Sequence, residues 1–206
     1  MARNLHSVVK QSRREGYALH PKAHKALVKR TALPGAHASQ GRRPAKPSQY
    51  SLQLREKQKV KRLYGLLEKQ FSNLMRESSK ASGQAGENLL CFLEQRADNA
   101  VYRAGFATSR RAARQLMTHG HFTLNGRRVD IPSLRLAPGD VLIVRDHSKK
   151  SEYFKKLDEV SPAGNDMPSW LKADRKKLSI TITSLPSREH AEPEIKEQLI
   201  VEYYSR

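Results

Sequence analysis

Arginines pose the first chemical question of this chain. Arg110, Arg111 and Arg114 stand close together with Gln115, and Arg127 and Arg128 follow after a short interval. A guanidinium stays charged and presents a planar fork of donors that matches phosphate. No Asp or Glu occurs between Gly105 and Val129. A merely solvated charged face normally mixes both signs. A stretch of one sign on a rigid scaffold suits an RNA backbone. Groups of this kind grip and position; they make and break no bonds. No phosphate loop, nucleophile elbow or metal cluster accompanies them, so no enzyme, cofactor or metal is expected. His20 and His24 have helical metal-ligand spacing. They lack clustered partners and are read as members of a basic arm.

Periodicity identifies the elements that must hold these groups. Leu89, Leu90, Phe92, Leu93, Ala97 and Val101 recur at helical spacing, and Gly105 stands where that helix should stop. A second helix starts at Thr108 or Ser109, both good N-caps, and buries Ala112, Ala113, Leu116 and Met117. Arg110, Arg111, Arg114 and Gln115 lie off that stripe. After His119 the period becomes alternating, with Asn125-Gly126 between two short strands. Both turn residues tolerate positive φ, which makes the pair a hairpin signal. Pro138-Gly139-Asp140 turns into a buried strand at 141–144, and the alternating run 178–183 is expected to complete the sheet. Trp170 is expected in the core of this module.

Residues 50–80 read as helix with a break near Gly65, and a core stripe runs from Leu54 through Val60, Leu63, Phe71 and Met75. Arg55, Lys57, Lys59 and Arg62 lie on other faces. Phosphate contact and ordinary helix solubility fit them equally well. Residues 81–86 form a flexible boundary. Pro193 is placed at the start of a last helix, whose apolar side chains include Ile195, Leu199, Ile200 and Tyr203. That helix is too short to stand alone and should dock on the helices of 50–80. The expected organisation is a basic arm over 1–47, a helical domain over 48–88 completed by 186–206, and an RNA-binding module over 89–185. The fold class is α+β: a helical domain with a basic N-terminal arm, plus an inserted module of two helices and a small, mostly antiparallel β-sheet.

Charge points the same way. The chain has 206 residues, 39 Lys/Arg against 20 Asp/Glu, a formal net charge of +19 and a pI near 10.3. Self-repulsion on that scale destabilises a compact state, so a polyanionic partner is the usual reason for it. Residues 1–47 hold eleven Lys/Arg and one acid, whereas residues 151–206 hold nine and ten. The last quarter should therefore pack against protein. No apolar run approaches a membrane span, and no hydrophobic leader is visible, so a cytoplasmic location without membrane contact is expected. Cys91 stands alone, excludes an internal disulfide and is read as a small buried residue.

Several blocks carry a resemblance: Ser12-Arg13-Arg14-Glu15-Gly16; Tyr50 with Gln53-Leu54-Arg55-Glu56-Lys57-Gln58-Lys59-Val60; Gly86-Glu87-Asn88-Leu89-Leu90; Asp98 through Phe106; Ala113-Arg114-Gln115-Leu116; Asn125-Gly126-Arg127 with Val129; and Leu199 through Ser205. Together they resemble the bacterial small-subunit ribosomal protein S-four family over essentially the full length. Zinc-bearing relatives begin their cysteines where Val9 and Ser12 stand, so this chain is similar to the cysteine-free variety. The resemblance implies direct binding to a multi-helix junction in the 5′ domain of 16S rRNA and nucleation of assembly of the subunit body. It also implies an accuracy-related interface with ribosomal protein S-five, and proximity to ribosomal protein S-three at the mRNA entry.

RNA contacts are accordingly expected from Arg13, Arg14, Arg42, Arg43, Lys46, Tyr50, Arg55, Lys57, Lys59, Arg62, Arg110, Arg111, Arg114, Gln115, His119, Asn125, Gly126, Arg127 and Arg128. Arg43 and Lys46 fall where the family faces mRNA. The protein interface is expected from Gln53, Leu54, Leu199, Ile200, Glu202, Tyr203 and Tyr204. No homo-oligomer is expected. Two rivals use the same module: an RNA-modifying enzyme, which needs a catalytic domain, and a stand-alone quality-control RNA binder, which needs neither the long basic arm nor the returning C-terminal helix.

Overall fold

The structure, a computed structural model, describes residues 6–30, 32–35, 46–162 and 167–205. The chain divides into two compact units, Met1–Leu89 with Pro193–Arg206 and Leu90–Glu192. In the first unit, α1 (Val8–Glu15) ends on Gly16 in the left-handed region at φ 63°. Helix α2 (His24–Lys29) follows a short 3₁₀ turn in which the His20 side chain accepts from the Lys22 N–H. Ser48 caps α3 (Gln49–Leu63) through its side chain. Gly65, at φ 66°, separates α3 from α4 (Glu68–Ser78). Helix α5 (Ala85–Glu94) starts inside the stretch expected to be a flexible boundary. Gly86 lets that first turn pack closely on the chain's last helix: a Cβ there would come within 2.8 Å of the side chain of Glu197, the first residue of that helix.

In the second unit, α6 (Ala97–Arg103) precedes α7 (Arg110–Thr118). The single helix expected across 89–101 is thus two. Arg96 breaks it in extended conformation, bridges to Arg135, and lets the Ala97 N–H donate to the Leu134 carbonyl at 2.8 Å. Ser109, one of the two expected caps, accepts from the Ala112 N–H. The sheet contains β1 (Phe122–Leu124), β2 (Arg127–Val129) and β3 (Val141–Val144). Three one-turn helices follow, α8 (Asp146–Lys149), α9 (Glu152–Lys155) and α10 (Leu157–Val160). Strands β4 (Leu171–Asp174) and β5 (Ser179–Ile182) close the sheet in the order β2-β1-β3-β5-β4, with every neighbour antiparallel. Strand β4 was not expected. Its Lys-Ala-Asp run has weak β-propensity, and pairing of Leu171 with Ile182 places it instead.

One sheet face buries Phe122, Leu142, Val144, Ile180 and Ile182 against Val101, Phe106, Ala113 and Met117. Trp170 is fully buried in that core, as its sequence context suggests. Cys91 is half-buried, not buried. The last helix, α11 (Glu197–Tyr204), belongs to the first unit and packs on α3. It starts four residues after Pro193, which sits in a turn. Ile195 is buried ahead of the helix and anchors its approach.

Candidate nucleic-acid interface

In the second unit the expected arginine wall splits. Positions 110 and 114 lie one turn apart on one side of α7, and 111 and 115 on the adjacent side. Ala113 and Met117 face the core and fix that rotation. Arg110 turns inward. Its Nε donates to Asn99 Oδ1 at 2.9 Å, its Nη2 to Glu192 Oε1 at 3.1 Å, and the guanidinium stacks over Tyr102. Arg114 approaches Asp98 at 3.9 Å, a carboxylate already held by Arg96 at 2.9 Å. Burial pushes the Arg114 guanidinium below its ordinary pKa, while Asp98 opposes that fall. Arg110 and Arg114 therefore serve the fold, which corrects their assignment to an outward wall. The acids responsible, Asp98 and Glu192, lie outside the acid-free window. Arg111, Gln115 and His119 remain exposed.

The hairpin turn holds Asn125 at φ 49° and Gly126 at φ 83°. The Asn125 amide is used internally: Nδ2 donates to Asp140 at 2.8 Å and Oδ1 accepts from the Val141 N–H at 3.0 Å. Asn125 is thus a turn lock, a second correction. Gly126, Arg127 and Arg128 are exposed. A residue the sequence reading missed, Arg145, donates from Nη1 to the Gly120 carbonyl at 3.2 Å. Its only advance signal was a cation directly after a buried strand.

The first unit treats its cations differently. Arg55 and Arg62 both donate to Glu15, whose side chain is fully enclosed. Burial raises the Glu15 pKa against the pull of those arginines. Lys57 is 3% exposed, pairs with Glu68 at 2.7 Å and lies 4.4 Å over the Tyr203 ring. Its ammonium points into the unit, a third correction. Lys59 pairs with Glu56 at 2.8 Å and donates to the Glu194 carbonyl at 2.9 Å. Burial tends to raise Glu68, but hydrogen bonds from Lys57, Lys61 and Tyr204 overrule it and hold the carboxyl at about 2. Arg13 donates to Ala32 O at 2.7 Å and Arg14 to Pro34 O at 3.3 Å. Lys46 and Tyr50 are exposed, and Tyr50 packs against Tyr203 at 5.8 Å. Arg42 and Arg43 lie outside the described residues.

Several side chains expected at a protein interface are internal. Gln53 is 3% exposed and donates to Glu202 at 2.7 Å; Ile200 is fully buried. Both hold α11 to α3 and present little to a partner. Tyr204 donates its hydroxyl to Glu68 at 3.0 Å. Leu54 and Leu199 are half-buried, as is Tyr203, while Glu202 is exposed.

A basic helix-and-hairpin face on an α+β module defines a class, the RNA-binding proteins built on an S4-type domain. Residues 3–94 match the family described as "Ribosomal protein S4/S9 N-terminal domain", and residues 95–142 match the "S4 domain". The chain is 50% identical over 212 residues to "Small ribosomal subunit protein uS4" of Clostridioides difficile, covering 100% of both chains. It is 48% identical to the protein of that name from Syntrophomonas wolfei and 48% identical to that from Chloroflexus aurantiacus, again over 100% of each chain. The chain belongs to the uS4 family of small ribosomal subunit proteins.

Proposed function

We propose that this protein is a structural constituent of the small ribosomal subunit in the cytoplasm and binds 16S rRNA directly. It engages a multi-helix junction of the 5′ domain and nucleates assembly of the subunit body. It contributes with ribosomal protein S-five to translational accuracy and lies near ribosomal protein S-three where mRNA enters. It performs no catalysis; its relatives carry the name of a ribosomal protein. Full-length identity near one half with relatives of that name carries this reading. The exposed Arg111, Gln115, His119, Arg127 and Arg128 are its RNA contacts on the module, with Arg14 and Lys46 on the basic arm. Sucrose-gradient fractionation tests it. Stoichiometric residence in the small subunit is expected. A protein found only in ribosome-free fractions would instead be a stand-alone RNA binder.

A further inference from the structure

Strand β1 lies between β2 and β3, so its start receives one arginine from each side. Arg128, on β2, lies over Gly120: a Cβ built there would be 2.8 Å from Nε and 2.9 Å from Nη2. Arg145, just after β3, donates Nη1 to the Gly120 carbonyl at 3.2 Å, and its backbone N–H donates to His121 O at 2.9 Å. Two guanidiniums thus meet at one peptide. Three imidazoles stand near them. His119, at the end of α7, lies 5.9 Å from His121 between ring centroids. His121 Nδ1 is 3.0 Å from Ser148 Oγ, with the Phe154 ring edge-on beside it. His147 follows on α8. Burial, then His119, Arg145 and His147, all push the His121 imidazole below its ordinary pKa.

Nothing within the described residues answers that charge. Arg110 and Arg114 have carboxylates, but neither Arg128 nor Arg145 has an ion pair among the described residues. The nearby acid, Asp146, is 94% exposed and engaged by Lys149. Like charges gathered at one turn repel, and an anion from outside the chain would offset that repulsion. A carboxylate would serve as well as a phosphate in charge. Two guanidinium forks at a surface turn beside exposed Arg127 instead suit a polyanion backbone.

We propose that the Gly120 turn seats one RNA backbone phosphate, clamped by Arg128 and Arg145 with His119 and His121 beside it. This rests on the RNA-binding reading above and extends it past the 95–142 domain match to residue 145. Gly120, at φ 69°, gives the left-handed turn and leaves the space that Arg128 occupies. The phosphate supplies the missing negative charge beside His121, so that imidazole takes up a proton when it binds. RNA affinity then rises as pH falls through the ordinary histidine range.

The test uses the full chain and a transcript of the 16S rRNA 5′ domain, with affinity measured across a salt series at pH 6 and pH 8. Arg128→Gln and Arg145→Gln should each flatten the log–log salt slope by up to about 0.9, the value for one lost phosphate contact on a duplex. Arg145→Lys should restore it, since a purely structural role at Gly120 O would not alter the slope. Arg128 is exposed, so its variant should keep the wild-type melting temperature and remain informative if Arg145→Gln unfolds. His121→Gln should abolish the pH 6 advantage. If Arg111→Ala flattens the slope but Arg128→Gln and Arg145→Gln do not, the RNA-binding reading survives and the phosphate seat is overturned. If none does, both fall. A wild-type affinity equal at the two pH values overturns the part given to His121.

Discussion

The helical unit and the module hold the same kind of residue and use it in opposite ways. On α3, Arg55 and Arg62 converge on Glu15 and Lys57 on Glu68, pairs that join helices, while Lys59 pairs with Glu56 of its own helix. On the module, Arg111, Arg127 and Arg128 stay exposed, and among the described residues Arg145 donates to a carbonyl and has no ion pair. The boundary also runs within one helix: α7 gives Arg110 to Glu192 and leaves Arg111, its neighbour, outside. A count of positive charge therefore measures supply. What stays exposed is the remainder after internal carboxylates have taken their share.

The comparison breaks most visibly at an enclosed carboxylate. Glu94 has no exposed side-chain surface, binds Arg103 at 3.0 Å and accepts from Asn99 at 2.8 Å. Glu94→Ala leaves a half-buried guanidinium without that partner and should cost the module about 3–5 kcal/mol in chemical denaturation. Arg111→Ala, by contrast, should change stability by no more than about 0.5 kcal/mol. Equal effects would erase the distinction between structural and outward arginines. Next comes Ile200→Ala, which removes a fully buried contact of α11 and should cost about 2–5 kcal/mol while sparing the RNA affinity of the module. A comparable loss of RNA affinity in that variant would tie binding to the helical unit instead.

The smallest effect is in acid. The Glu68 carboxyl, ordinarily near 4.5, is held at about 2 in the fold. Its contribution is present above the unfolded value and is lost as pH falls from 4.5 towards 2. Glu68→Gln should therefore flatten the melting temperature across that acid window. Glu15 works the other way: burial raises its pKa, so its contribution is full below the unfolded value and lost as pH rises through the folded one. An acid window unchanged by Glu68→Gln would mean that the two lysines and Tyr204 do not stabilise its ionised form.

Local signals revealed much of this fold. Ser109, the Asn125-Gly126 turn, Trp170 and the strand at 179–182 act through neighbours in sequence or through composition, and each stands where the pattern puts it. Failures came where a distant residue decides. Arg96 breaks a continuous apolar stripe because residues 134 and 135 lie alongside it. Strand β4 exists through its pairing with β5. Arg110 is claimed by Glu192, 82 residues away, and Asn125 by Asp140. Pro193 tolerates a helix start but does not impose one; buried Ile195 delays α11 to Glu197. For the site, the arginine-rich stretch was readable, but the side each arginine faces was not, because that depends on partners in three dimensions.

The most direct test pits the two sets of arginines against each other in the salt dependence of 16S rRNA 5′-domain binding. Replacing Arg111, Arg127 and Arg128 with alanine should flatten the log–log slope by up to about 0.9 per contact at unchanged melting temperature. Replacing Arg110 and Arg114 should lower the melting temperature and leave the slope of the folded protein as it was. The reverse pattern, with the slope carried by Arg110 and Arg114, would contradict the account.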